Sequence, residues 1–269
     1  MILEFKKILL RLFYYIQWGI QRFKLSCDKN KYESISMIEL QQPSLLIVPH
    51  ADDELIGCYG LISSNLINDV IYCGYATDEM ADIRQKELNT FMSRFSSKLI
   101  VSEGRIEDDI LNLLNKNRYK SIFLPSPLDW HPDHRGLSNM LLDCLSNIAD
   151  YNPDIYLYTI TVPHCEFGTL EYRALSNTIF KNKWSDFERC YKSQLHLPIR
   201  RFKQKERIQG YMCSKDAVEL YMYVTVSELK FFYTECKKRE KLLCESISII
   251  NNLEKIFLFS RKFSEYLKQ

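Results

Sequence analysis

Short apolar runs alternate along this chain with longer segments in which apolar and charged residues mix at helical spacing. Residues 45–48 are apolar and follow the polar, proline-containing Gln41-Gln42-Pro43. A run of that length, bounded by turn residues, predicts a buried strand of a parallel sheet. Downstream, the pattern predicts a helix over 55–66, a strand over 70–76 and a helix over 81–95. A short strand over 98–101, a helix over 106–114 and a strand over 121–124 follow, then a helix over 136–148 and a strand over 155–161. Residues 36–40 suit an edge strand ahead of the series. Such alternation predicts an α/β class, a three-layer α/β/α Rossmann-like domain with a mainly parallel sheet.

Beyond Thr161 the pattern is mixed. Ser185-Asp186-Phe187-Glu188 has the form of a capping box and predicts a helix opening there and running through Gln194. Arg200, Arg201, Lys203, Lys205 and Arg207 form a basic cluster, expected as a solvated face, with a phosphate or carboxylate on a substrate as the alternative partner. Residues 226–268 suit long helical segments. The expected organisation is an amphipathic helix over 1–27, a domain over 28–230 and a helical extension over 231–269.

The first segment differs from the rest in charge. Lys6, Lys7, Arg11, Arg22 and Lys24 against Glu4 leave +4 on residues 1–25, so the remainder of a chain of net charge +2 carries −2. Phe5, Phe13, Tyr14, Tyr15, Trp18 and Phe23 share that stretch. No apolar run approaches the ~18 residues of a membrane span, and no small-residue cleavage site follows. Two readings stand: a helix packed on the domain or on another subunit, or a basic helix lying on a membrane surface.

The whole chain, 46% hydrophobic and 26% charged, has a globular composition, and its near-neutral balance predicts no nucleic-acid partner. Nine scattered cysteines without a C-x-x-C pair suit reduced thiols in a cytoplasmic setting. No glycine-rich fingerprint follows a strand, so a dinucleotide site has no support.

Two loops carry the chemistry. The strand over 45–48 runs into Pro49-His50-Ala51-Asp52-Asp53-Glu54, and the strand over 121–124 runs toward Asp129-Trp130-His131-Pro132-Asp133-His134. Three of the five histidines fall in these loops. In one parallel sheet both loops open on the carboxyl edge, where ligands bind. Crowded carboxylates repel unless a cation or substrate group offsets them, and imidazole with carboxylate oxygen suits zinc. Helix capping explains Asp52 or Asp53 alone, but not His50 with the second histidine pair.

These motifs resemble the signatures of the PIG-L/LmbE-like zinc-dependent de-N-acetylases. Pro49 to Glu54, with Gly57, resembles the first signature, and His131-Pro132-Asp133-His134 the second. Thr77, Arg84 and Glu87 resemble an intermediate segment; Lys183, Tyr191, Ser193 and Gln194 resemble a later helix, and Ala217-Val218-Glu219 a late pair. The resemblance covers roughly residues 40–230. Ala51 and Asp78-Glu79 depart from it, standing where proline and glycine are usual in the family.

The resemblance implies an LmbE-like fold and a zinc ion held by His50, Asp53 and His134. It implies Asp52 as general base toward the attacking water, and His131 as donor to the oxyanion or to the leaving amine. Asp133 would orient a histidine, and Arg84 would contact substrate, with an ion pair to Glu87 or Asp82 as its alternative. Glu54 needs no role beyond the first helical turn, and His164 suits either a structural or a site role. The implied function is removal of acetyl from an N-acetylated sugar or glycoconjugate of the N-acetylglucosamine type. A non-catalytic metal- and sugar-binding or scaffold protein, or hydrolysis of another amide, is the alternative. A homo-oligomer and peripheral attachment to the inner membrane face are further expectations.

Overall fold

The computed structural model describes residues 2–26, 35–76 and 78–268, with backbone only for 2–11, 26 and 78. Among them eight strands form one sheet, in the order β1-β7-β8-β6-β5-β2-β3-β4. These are β1 (Ser36–Met37), β2 (Ser44–Val48), β3 (Asp69–Tyr72), β4 (Lys98–Val101), β5 (Ser121–Pro125), β6 (Asp154–Tyr158), β7 (Thr169–Ala174) and β8 (Val218–Val224). Only β8 runs against its neighbours β6 and β7. The helices are α1 (Ile2–Ser26), α2 (Asp53–Ile62), α3 (Asp78–Met92), α4 (Ile106–Asn117), α5 (Pro132–Ser146), α6 (Asn177–Cys190), α7 (Ile199–Met212), α8 (Val226–Lys238), α9 (Glu240–Glu245) and α10 (Leu253–Leu267).

Both faces of the sheet are covered, which explains why the central strands are continuously apolar. Successive side chains of β2 point to opposite faces. Leu45 and Ile47 join an apolar cluster with α4, α5, α8 and α10, whereas Leu46 and Val48 join one with α2, α3 and α6. Gly57 permits the tightest approach of α2: a Cβ there would overlap the Tyr158 ring on β6.

Several expectations shift. The strand expected over 70–76 ends at Tyr72, so Tyr75 and Ala76 belong to a loop at the carboxyl edge. Ser185 caps nothing: α6 opens at Ser176, whose hydroxyl accepts from Ile179 N, and Ser185 lies mid-helix. The basic cluster is a solvated face only in part: Arg200 and Arg207 are exposed and Lys203 is half-buried. Arg201 and Lys205 are buried, the latter donating to the Thr159 and Ile160 carbonyls, and burial with the nearby Arg201 charge pushes Lys205 down to about 7. α8 runs across position 230, and Leu229, Phe232, Phe257 and Phe263 share the apolar cluster of the sheet face.

Candidate metal centre and active site

β2 and β5 are parallel neighbours, and β3 continues from β2 on its other side. The chain direction across the sheet reverses between β2 and β5, and ligands of open α/β sheets bind in the crevice above such a switch point. Both motif loops leave these strands, and each runs directly into a helix, α2 or α5.

His50 Nδ1 lies 3.2 Å from Asp53 Oδ2 and 3.2 Å from His134 Nε2, and His134 Nε2 lies 3.2 Å from Asp53 Oδ2. The three atoms form an equilateral triangle. Donors about 2.0–2.1 Å from a tetrahedral zinc stand about 3.3–3.4 Å apart. The donor set, two imidazoles and one carboxylate, therefore fits one such ion in size and in kind. His131 stands beside it, since the ring nitrogens of His50, His131 and His134 lie within 4.8 Å of one another.

The electrostatics fit a site built for a cation. Asp52, Asp53, Glu54 and Asp129 are all buried. Burial raises Asp52 well above the carboxylate range, and its neighbours Asp53 and Glu54 add to this. Burial also opposes ionisation of Asp53, but the His134 and His50 rings overcome it and hold the carboxyl well below its usual range. Burial disfavours charge on His134, yet Asp53 and Asp129 outweigh it and raise that ring to about 10. His131 is pushed down to about 4, by burial and then by charge on His134 and His50. Its Nδ1 accepts from Asp133 N at 3.3 Å, capping α5.

Asp52 has a φ of 121°. A non-glycine residue in so sparsely populated a region costs about 1–3 kcal/mol, so the surroundings must hold it. Glu54 does so: its carboxylate accepts the Asp52 backbone N–H at 3.0 Å and the Tyr191 hydroxyl from the end of α6. Glu54 is thus more than a first-turn acid. Burial pushes it up to about 7.

Asp133 Oδ2 lies 3.0 Å from His50 Nε2 and 3.7 Å from His131 Nδ1. Asp129, which sequence reasoning passed over, accepts from His131 N at 3.1 Å and from Thr161 N and Oγ1 at 3.1 and 2.6 Å. It faces His134 Nδ1 at 3.6 Å, an ion-pair contact too long for a hydrogen bond. Its place at the head of the second loop was the available signal.

The site floors a cavity of about 660 Å³ walled by Ile56, Tyr75, Met80, Trp130, Leu197 and Phe202, with Arg84, Gln194 and His196 as polar lining. Arg84 Nε is buried with no hydrogen-bond partner, and Glu87 engages Ser193 instead, accepting from its backbone N and its hydroxyl at 2.8 and 2.6 Å. Lys183 and Glu219 meet away from the cavity: Lys183 Nζ donates to Glu219 Oε1 at 2.7 Å, to Glu206, and to the Ile56 carbonyl of α2 at 2.8 Å. His164 is buried outside the cavity, its Nε2 3.1 Å from the Leu220 carbonyl. Thr77 lies outside the described residues.

The fold is one found among solved deacetylase structures. Among solved structures the chain is similar to N,N'-diacetylchitobiose deacetylase from Pyrococcus horikoshii, at 20% identity over 68% of this chain and 84% of that one, with a TM-score of 0.55. It is also similar to the zinc-inhibited form of teicoplanin deacetylase, at 14% identity over 68% of this chain and 98% of that one, with a TM-score of 0.54. At these identities the likeness establishes the fold. No family profile and no curated protein sequence matches the chain.

Proposed function

We propose that this protein is a zinc-dependent N-deacetylase acting on an N-acetylated sugar or glycoconjugate. The observation that carries the reading is the triangle of His50 Nδ1, Asp53 Oδ2 and His134 Nε2, set beside Asp52 on the floor of a large cavity. His50, Asp53 and His134 would hold the ion, which supplies Lewis acidity to the amide carbonyl and to water. Asp52 makes no side-chain hydrogen bond among the described residues, and with a cation on the neighbouring triangle to offset the burial that raises it, its ionised carboxylate would take a proton from the water that attacks the carbonyl carbon. With Nδ1 committed to capping α5, His131 presents Nε2–H to the developing oxyanion. Asp52 then returns its proton to the departing nitrogen as the C–N bond breaks, giving amine and acetate. Asp133 and Asp129 keep the histidine rings oriented. Arg84 and the aromatic walls would receive the sugar and whatever it is attached to.

The two solved deacetylases support a sugar-amide substrate, and the unpaired state of all eight described cysteines suits a reducing, cytoplasmic setting. The test is incubation of the zinc-loaded chain with N-acetylglucosamine conjugated to nucleotide, lipid, inositol or oligosaccharide, with acetate release measured. Release that depends on zinc supports the reading. Zinc binding with no acetate from any conjugate would move the protein to the metal- and sugar-binding class.

A further inference from the structure

Among its described side chains, the N-terminal helix α1 is held by one face. Trp18 and Gln21 are buried; Trp18 Nε1 donates to the Asn251 carbonyl at 2.8 Å, and Gln21 Oε1 accepts from Leu253 N at 2.9 Å. The Arg200 guanidinium of α7 stacks 3.6 Å over the Tyr15 ring. These contacts realise the packing expectation for the helix, yet they leave a face of residues 12–23 uncovered.

That uncovered face carries an apolar stripe. Leu12, Phe13, Ile16, Ile20 and Phe23 are 54%, 62%, 59%, 53% and 71% exposed, and positions 12, 16, 20 and 23 follow one another along a single helical face. At its end the stripe meets a second cavity, of about 340 Å³, lined by Arg22, Phe23, Arg207, Tyr211, Lys215 and Asp216. Arg207 stacks 4.9 Å over the Phe180 ring, and Asp216 accepts from Asn177 at 3.0 Å. Among the described residues Arg22, Arg207 and Lys215 have no ion-pair partner. Three cations thus converge on one hollow next to a row of exposed apolar side chains.

We infer that α1 and α7 form a docking surface for an anionic phospholipid membrane. The stripe enters the acyl boundary, and the hollow of Arg22, Arg207 and Lys215 takes a lipid phosphate. Charge complementarity selects this occupant. Apolar side chains beside arginine and lysine suit the headgroup boundary, where cations meet lipid phosphates. A second copy of the chain suits it less, because a two-fold contact across the stripe would bring the same cations toward one another. Among the described residues no helix is long and apolar enough to cross a membrane, and the proposed contact is peripheral. α7 also carries Phe202 in the wall of the catalytic cavity, so one helix joins the docking surface to the proposed site. The inference does not depend on the catalytic reading.

The test is flotation of the full zinc-loaded chain with phosphatidylcholine vesicles, with and without phosphatidylglycerol. Wild type should float only with the anionic vesicles, and less so as salt is raised. The triple variant Arg22→Gln, Arg207→Gln, Lys215→Gln should lose about tenfold or more in vesicle affinity, since each cation near an anionic surface contributes severalfold. Ile16→Asp should abolish flotation while leaving the circular dichroism spectrum and zinc content unchanged. Absence of wild-type flotation at low salt, or unchanged flotation of Ile16→Asp, overturns the inference. So does a dimer in sedimentation that Ile16→Asp converts to monomer, since the stripe would then belong to a contact between copies.

Discussion

The Lys183–Glu206–Glu219 cluster and the His50–Asp53–His134 cluster both bury carboxylates, and only the first holds its own fixed cation. Lys183 Nζ lies between Glu206 and Glu219, and the remaining acceptors are taken by Trp184 Nε1, by the Gly60 backbone N–H and by the Tyr221 hydroxyl. That cluster is closed: its groups satisfy one another. At the switch point Asp52, Asp53, Glu54 and Asp129 crowd around titratable rings, and the one guanidinium in the wall, Arg84, leaves its Nε unmatched. A closed charge cluster is a structural element; an open one of this composition has the charge imbalance that the proposed ion would offset. α2 connects them. Its N-terminus carries Asp53, while its Ile56 carbonyl and Gly60 N–H are tied to Lys183 and Glu219. The closed cluster holds the helix from which the open one is built.

The sharpest break of this comparison is Asp52→Asn. It removes the proposed base and leaves the triangle untouched. Turnover should fall by about two to four orders of magnitude, with zinc content unchanged when metal and rate are measured on the same preparation. Loss of zinc from this variant would mean that Asp52 and Asp53 had exchanged roles.

Lys183→Met opens the closed cluster. Removing one partner of a buried ion network leaves charge uncompensated and costs about 3–5 kcal/mol, read as a lower urea midpoint. Burial already raises Glu206 against the pull of Lys183. Without the lysine, that carboxyl gains further from protonation, so the deficit should shrink as pH falls. A midpoint equal to wild type at neutral pH would show the cluster to be dispensable.

Asp129→Asn perturbs the open cluster from behind. It keeps the acceptor for Thr161 but removes the charge facing His134 and, with it, the acceptor for the His131 backbone N–H. Groups that orient metal-bound histidines typically contribute about 10–100-fold in metal affinity, so zinc should bind that much more weakly in competition with a chelator. Unchanged affinity would confine Asp129 to bracing Thr161 and His131.

How much of this was legible in the chain differs by region for physical reasons. The central strands announce themselves because both faces are buried, and the two histidine loops because few other chemistries place His and Asp directly after such strands. β8 was not recognised: Glu219 interrupts its apolar run, and the reason, a lysine 36 residues earlier, is tertiary. Ser185 matches a capping box by spacing, but the backbone is already helical there from Asn177. The basic cluster on α7 misled because charge alone suggests solvent, whereas Lys205 reaches strand-end carbonyls 45 and 46 residues away. Asp129 and Glu54 were passed over because their partners Thr161 and Tyr191 lie 32 and 137 residues distant. Local pattern reports which groups a loop carries; it does not report what holds the loop.

That last point defines the smallest expected effect. Tyr191→Phe deletes one hydroxyl from the brace that runs through Glu54 to the Asp52 backbone. The Glu54 carboxylate then keeps a single described donor in a buried place, which costs about 1–3 kcal/mol. Neither the triangle nor the cavity wall changes, so zinc content and KM should stay at wild-type values. What changes is the restraint on a residue held at a φ of 121°. If that restraint aims the Asp52 carboxylate, kcat should fall severalfold, well short of the Asp52→Asn loss, and the two substitutions should not add, because Tyr191 acts through Asp52. A loss of stability with kcat unchanged would reduce the brace to packing, and the position of Asp52 would then be set by the α2 terminus alone.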